Sequence, residues 1–125
     1  MSKNLLIYAS GWENRAGKAI VKIRIKDEDN LRLLRYINET IDAKDRMEAE
    51  YEAFIHGLFN AYTLQAERVR FIFDNKEVVD LFNSKRIKNK LLKPMQDQVK
   101  KLILGFKEVK VEYLEPIQEE VALAG

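Results

Sequence analysis

The chain has no cysteine and a single histidine in 125 residues. The first absence excludes disulfides and thiolate metal sites, and the second excludes a zinc centre built from imidazoles. Any bound metal would need oxygen ligands. No apolar run approaches the length needed to cross a bilayer, so no membrane partner is expected. The opening MSKNLLIY lacks the long apolar core and small-residue cleavage site of a signal peptide, which reads as an intracellular, cytoplasmic protein. Repeats, low-complexity tracts and linkers are also missing, so residues 1–125 read as one domain, long enough for a sheet with helices on it.

The longest uninterrupted pattern is helical and covers Met47 to Leu64. Ala49, Ala53, Phe54, Gly57, Leu58, Ala61 and Tyr62 recur at three- and four-residue spacing, which places them on one stripe facing a core. The small residues in that stripe predict a close neighbour. Asp45 can cap the start, with Glu48 three residues on, and Glu50 lies in the first turn near the inner stripe.

In chain order, Asn4 to Ser10 is a near-continuous apolar run, as expected of a central strand buried on both faces. Gly11 to Gly17 reads as a turn. Lys18 to Lys26 alternates cleanly, with Ala19, Val21, Ile23 and Ile25 against Lys18, Lys22, Arg24 and Lys26, so the hairpin has one solvated face. LRLLRY can be read as a helical turn, but the run of turn residues before it and the β-branched end favour a third strand over Leu31 to Thr40, and Arg68 to Phe73 is a fourth that ends at Asp74 and Asn75. Lys76 to Phe82 is a short amphipathic helix through Val78, Val79, Leu81 and Phe82. Leu91 to Leu104 is another, with Leu92, Met95, Val99, Leu102 and Ile103 inward, Pro94 in the first turn and Gly105 as its C-cap. Phe106 to Tyr113 is the last strand, and Glu115 to Ala124 a short tail.

Hairpins followed by alternating strands and helices imply an α/β protein with a mixed sheet, strands one, four and five being parallel through right-handed crossovers. Sites in such sheets gather at the carboxyl ends of the parallel strands, here Ala9, Asp74 and Leu114.

The net charge of +2 hides an asymmetry. Between Asn83 and Lys101, Lys85, Arg86, Lys88, Lys90, Lys93, Lys100 and Lys101 face one acid, Asp97, giving +6 and leaving −4 elsewhere. Such a run is the wet face of a helix or a phosphate-binding patch.

The LIYASG strand end, the turn closing at Gly17, the AEYEA helix start with its later GL, the FIFDN strand end, the basic KRIKNKLLKPM segment, the F-x-x-V-x-V-x-Y strand and the final ALA together resemble a ribonuclease H domain over nearly the whole chain. The resemblance implies a five-stranded mixed sheet in the order 3-2-1-4-5, with strand 2 antiparallel, flanked by helices, the C-terminal one short. It also implies four acidic side chains holding two magnesium or manganese ions that drive RNA-strand cleavage in an RNA/DNA hybrid.

Carried across residue by residue, the resemblance maps two of those ligands to Glu50 and Asp74. The first-strand acid falls at Ala9 and the last at Val121, neither of which ligates a hard cation. The expected catalytic remnants are therefore Glu50 and Asp74, a pair able to hold one magnesium or manganese ion weakly, or simply a dipole partner and a strand-end cap. His56 lies on another face of the helix from Glu50 and reads as a surface or packing residue. Glu13, Glu115, Glu119 and Glu120 are the nearby acids that could supply relocated chemistry. Asn14, Arg15, Lys18, Asn75, Lys85, Arg86 and Lys88 are the candidate contacts to a nucleic-acid backbone, and Trp12 either stacks on a base or covers the sheet edge. Three functions follow: a non-cutting binder of RNA/DNA hybrid or other duplex, a protein-interaction or homodimerisation module, and a divergent metal-dependent nuclease.

Overall fold

The computed structural model describes residues 3–13, 16–84 and 92–114. The elements run β1 Asn4–Glu13, β2 Lys18–Asp27, β3 Leu33–Asp42, α1 Arg46–Thr63, β4 Arg68–Phe73, α2 Lys76–Ser84, α3 Lys93–Ile103 and β5 Glu108–Tyr113. The five strands form one sheet in the order β3-β2-β1-β4-β5, with β2 antiparallel to both neighbours and β1, β4 and β5 parallel. This is the ribonuclease H-like arrangement the sequence implies. The tail, with its expected short helix, Asn14, Arg15, Lys85, Arg86, Lys88 and Val121, and the side chains of Trp12 and Glu13 lie outside the described residues.

α1 sits against the sheet because its small residues allow it to. Ala49, Ala53, Gly57 and Ala61 recur every fourth position and all are buried. A Cβ at Gly57 would lie 2.8 Å from the Phe71 ring, and one at Gly11 would lie 2.4 Å from the Ala49 carbonyl oxygen. The backbone of β1 thus touches the first turn of α1 with no room for a methyl group. Phe54 projects from the same helix into the core, where its ring centre lies 4.7 Å from that of Phe71, 5.2 Å from Phe73 and 5.3 Å from Phe82. Asp45 caps the helix as expected, its carboxylate accepting from the Glu48 amide at 2.9 Å.

Several details differ from expectation. β1 continues through the stretch read as a turn, because Gly11 serves a close approach to α1 and still pairs with Val21. The following turn places Ala16 and Gly17 in the left-handed region, with φ of 64° and 74°. β3 begins at Leu33 and is largely exposed along the sheet edge. Tyr62, expected on the inner stripe, is 61% exposed, since by the last turn the stripe has rotated off the sheet. α3 ends without a left-handed glycine: Leu104 is right-handed, and Gly105 donates to the Leu102 carbonyl at 3.1 Å in a tightened last turn. The buried side of α3 includes a polar residue, Gln96, whose amide donates to the Tyr51 hydroxyl at 3.2 Å.

Candidate nucleic-acid interface and carboxylate pair

Residues on β1, β2 and β4 alternate between the two faces of the sheet. Leu5, Ile7, Ala9 and Gly11, Ala19 to Ile25 in steps of two, and Val69, Phe71 and Phe73 turn toward α1 and are buried. Tyr8, Ser10, Lys22, Arg24 and Ile72 occupy the other face. They line an open cleft of about 160 Å³ together with Ala9, Phe73, Asp74 and Leu114. The carboxyl ends of the parallel strands, Ala9, Asp74 and Leu114, therefore converge as anticipated. The cleft stands open to solvent and is roomy enough to admit a phosphate group.

Lys22 and Arg24 escaped the sequence reading of the site. Clean alternation marks them as the solvated side of a hairpin, and only the pairing of Ser10 with Lys22 and Tyr8 with Arg24 brings them to the strand end that carries Asp74. They belong to a column of cations on β2, Lys18, Lys22, Arg24 and Lys26, all on the face turned away from α1. Arg24 stands 6.0 Å from the centre of the Tyr36 ring and Lys26 stands 5.4 Å from that of Tyr8, so aromatic faces flank the column. Lys18 at its far end is ion-paired with Asp42. Asn75 uses its side-chain oxygen to accept from the Glu77 amide at 3.0 Å, which makes it, and not Asp74, the residue that starts α2.

On the α1 side of the strand ends lies Glu50, fully buried. Its Oε1 accepts from the Gly11 amide at 3.0 Å. Burial pushes its carboxyl up from an ordinary 4.5 to about 8, and the charge of Asp74 adds to the rise, while the Gly11 amide and Arg46 oppose it. Arg46, the first residue of α1, spans the gap: its Nε is 3.6 Å from Glu50 Oε1 and its Nη2 is 3.6 Å from Asp74 Oδ1. Both separations exceed a hydrogen bond, so these are charge contacts. With Glu50 largely protonated at neutral pH, the charge that Arg46 meets is chiefly that of Asp74. Arg46 too was missed, although its spacing of four from Glu50 places it on the same helix face. His56 instead pairs with Glu52, at 3.5 Å.

A pair of magnesium or manganese ions is what the fold implies for this region. Glu50 Oε2 and Asp74 Oδ1 are both enclosed with no hydrogen-bond partner, which would suit a cation. The rest of the donor set does not. Among the described residues no three acidic or histidine side chains converge. The wall beside Asp74 is the methyl group of Ala9, 3% exposed, and a guanidinium already stands between the two carboxyls. Two carboxyls shared with an arginine would leave most of the octahedral positions of such an ion to water.

Residues 8–124 match the family described as reverse transcriptase-like. The chain belongs to this ribonuclease H-like family. Its fold is also that of solved ribonuclease H domains. The N-terminal RNase H domain from Mycobacterium tuberculosis superposes with a TM-score of 0.84 at 23% identity, covering 94% of this chain and 91% of that one. RNase H1 from the archaeon Halobacterium salinarum gives 0.83 at 19% identity, covering 94% and 89%. LC11-RNase H1, solved in complex with RNA/DNA hybrid, gives 0.81 at 18% identity, covering 91% and 87%. No curated protein matches the sequence. Among the described residues of this ribonuclease H-like domain, no helix is long and apolar enough to cross a membrane.

Proposed function

We propose that this ribonuclease H-like domain binds RNA/DNA hybrid or another duplex through its backbone and does not cut it. The observation that carries the proposal is the cleft at the carboxyl ends of β1 and β4, where Lys22, Arg24 and the Ser10 hydroxyl surround a space that admits a phosphate group. Donors of this kind grip phosphates without reading sequence. The basic run Lys85, Arg86 and Lys88, together with Asn14, Arg15 and Lys18, supplies in the sequence further candidate contacts to such a backbone. LC11-RNase H1, of like fold, was solved on such a hybrid. Cleavage is not assigned, because among the described residues no further acidic side chain joins Glu50 and Asp74 and Arg46 stands beside both, and binding through lysine and arginine needs no cofactor.

Equilibrium binding to a fluorescent RNA/DNA hybrid at increasing salt tests the proposal. Affinity should fall steeply with salt, should drop when Lys85, Arg86 and Lys88 are changed to glutamate, and the RNA strand should remain intact in magnesium or manganese. Absence of binding at low salt overturns it, and manganese-dependent cleavage that disappears in Glu50→Gln points to the divergent nuclease instead.

A second reading has its own support. The edge strand β3 exposes Leu33, Leu34 and Tyr36, and an apolar edge is a template for pairing with another chain. Light scattering that shows a dimer, reduced to monomer by Leu33→Lys with Leu34→Lys, would favour that interaction role.

A further inference from the structure

We infer that Arg46 is a tethered counter-cation: its guanidinium stands between the carboxyls of Glu50 and Asp74 and excludes a divalent ion from a pair that would otherwise bind one. Three observations support this. Arg46 stands 3.6 Å from an oxygen of each carboxyl, and among the described residues it is the only cation so placed beside either. It does so from the first residue of α1, where the helix dipole disfavours positive charge, so the charge of Asp74 is the attraction that holds it there. Glu50 Oε2 and Asp74 Oδ1 remain enclosed and without hydrogen-bond donors, so the pair retains acceptors that a compact metal ion could use once the guanidinium is gone.

The consequence is a switch in what neutralises the site. In a metal-dependent nuclease a soluble ion offsets the carboxylate charge and can leave. Here the offsetting charge is covalently part of the chain, is single where two magnesium ions would bring four charges, and polarises no water. A phosphate backbone can then approach Asp74 whether or not magnesium is present. The inference rests on the functional reading only in taking the site to work without a metal, and its test uses no nucleic acid, so the two can fail separately.

Titration with Mn²⁺, read by the electron paramagnetic resonance signal of the free ion, should show no difference between the parent protein and Asp74→Asn. Arg46→Met should bind one Mn²⁺ at least about tenfold more tightly than the parent. Adding Asp74→Asn to Arg46→Met should abolish the gain, and the same ion should raise the melting temperature of Arg46→Met only. The inference is overturned if the parent already binds Mn²⁺ in a manner that Asp74→Asn removes, a comparison that does not depend on Arg46→Met folding. It is equally overturned if folded Arg46→Met binds no better than the parent.

Discussion

The amide of Gly11 donates to Oε1 of Glu50 at 3.0 Å, across a junction where a Cβ on Gly11 would lie 2.4 Å from the carbonyl oxygen of Ala49. The hydrogen bond and the missing side chain are two aspects of one contact: β1 and α1 meet backbone to backbone, and the buried carboxyl is held by the strand it faces. Gly11→Ala must therefore move the helix or the strand. We expect a loss of about 1–3 kcal/mol or more in urea unfolding, as for other overpacked sites, and an unchanged stability would show that this junction is looser than described.

Glu50 gives the protein an unusual pH profile. Its folded-state value, raised to about 8, lies above the 4.5 of an ordinary glutamate, so between these values the folded state holds a proton that the unfolded chain has released. The stability linked to this group is complete below pH 4.5 and is lost as pH rises toward about 8. Glu50→Gln keeps an oxygen for the Gly11 amide and removes the titration. Urea midpoints measured across this range should fall with pH in the parent by more than in Glu50→Gln, which should be the more stable protein at the alkaline end.

The fold was legible in the sequence wherever side-chain periodicity determines exposure. Arg68–Phe73 alternates so regularly that β4 has the bounds read from sequence, and the small residues of α1 announced a close neighbour before the neighbour was known. The convergence of Ala9, Asp74 and Leu114 followed from the parallel strands alone. Lys22 and Arg24 were not legible as site residues, because alternation separates buried from exposed and cannot tell a cleft rim from open solvent. Arg46 was not legible as a bridge, since Asp74 is brought to it only by the crossover from α1 to β4. Gln96 was absent from the inward face read for its helix, because its partner, the Tyr51 hydroxyl, lies on another helix.

Charge reversal in the cleft should separate a binding surface from a merely wet face. Lys22→Glu with Arg24→Glu, on a sheet face away from the core, should leave the unfolding midpoint within about 0.5 kcal/mol of the parent. Hybrid affinity at moderate salt should fall on the order of tenfold, and the slope of affinity against salt should become shallower by about one to two released ions. An unaltered slope would remove the cleft from the interface.

The aromatic cluster sets stability more than any charge described here. Phe54→Ala removes the ring that touches Phe71, Phe73 and Phe82 at once, and should cost about 3–5 kcal/mol in equilibrium unfolding. Asp45→Ala, which deletes a cap bond at an exposed helix start, should cost about 1 kcal/mol. A reversal of that order would mean that α1 is held by its end and not by its face.

Rebuilding the acids should restore cleavage only when the guanidinium is also removed. Ala9→Asp with Val121→Asp supplies the two carboxylates that the ribonuclease H resemblance places at those positions. Combined with Arg46→Met, it should cut the RNA strand of a hybrid in magnesium, and with Arg46 retained the rate should be at least about tenfold lower. Equal rates in the two proteins would show that Arg46 yields to metal unaided.

Gly11 against Ala49 and Gly57 against Phe71 leave no room for a methyl group between α1 and the sheet. Those contacts work as a mechanical stop. Glu50 rides on the part that is stopped, so the reach from Glu50 to Asp74 is a fixed gauge. Chemistry at these strand ends is therefore open to revision only by exchanging the groups that project into the gap, and an arginine from the helix start is long enough to fill it.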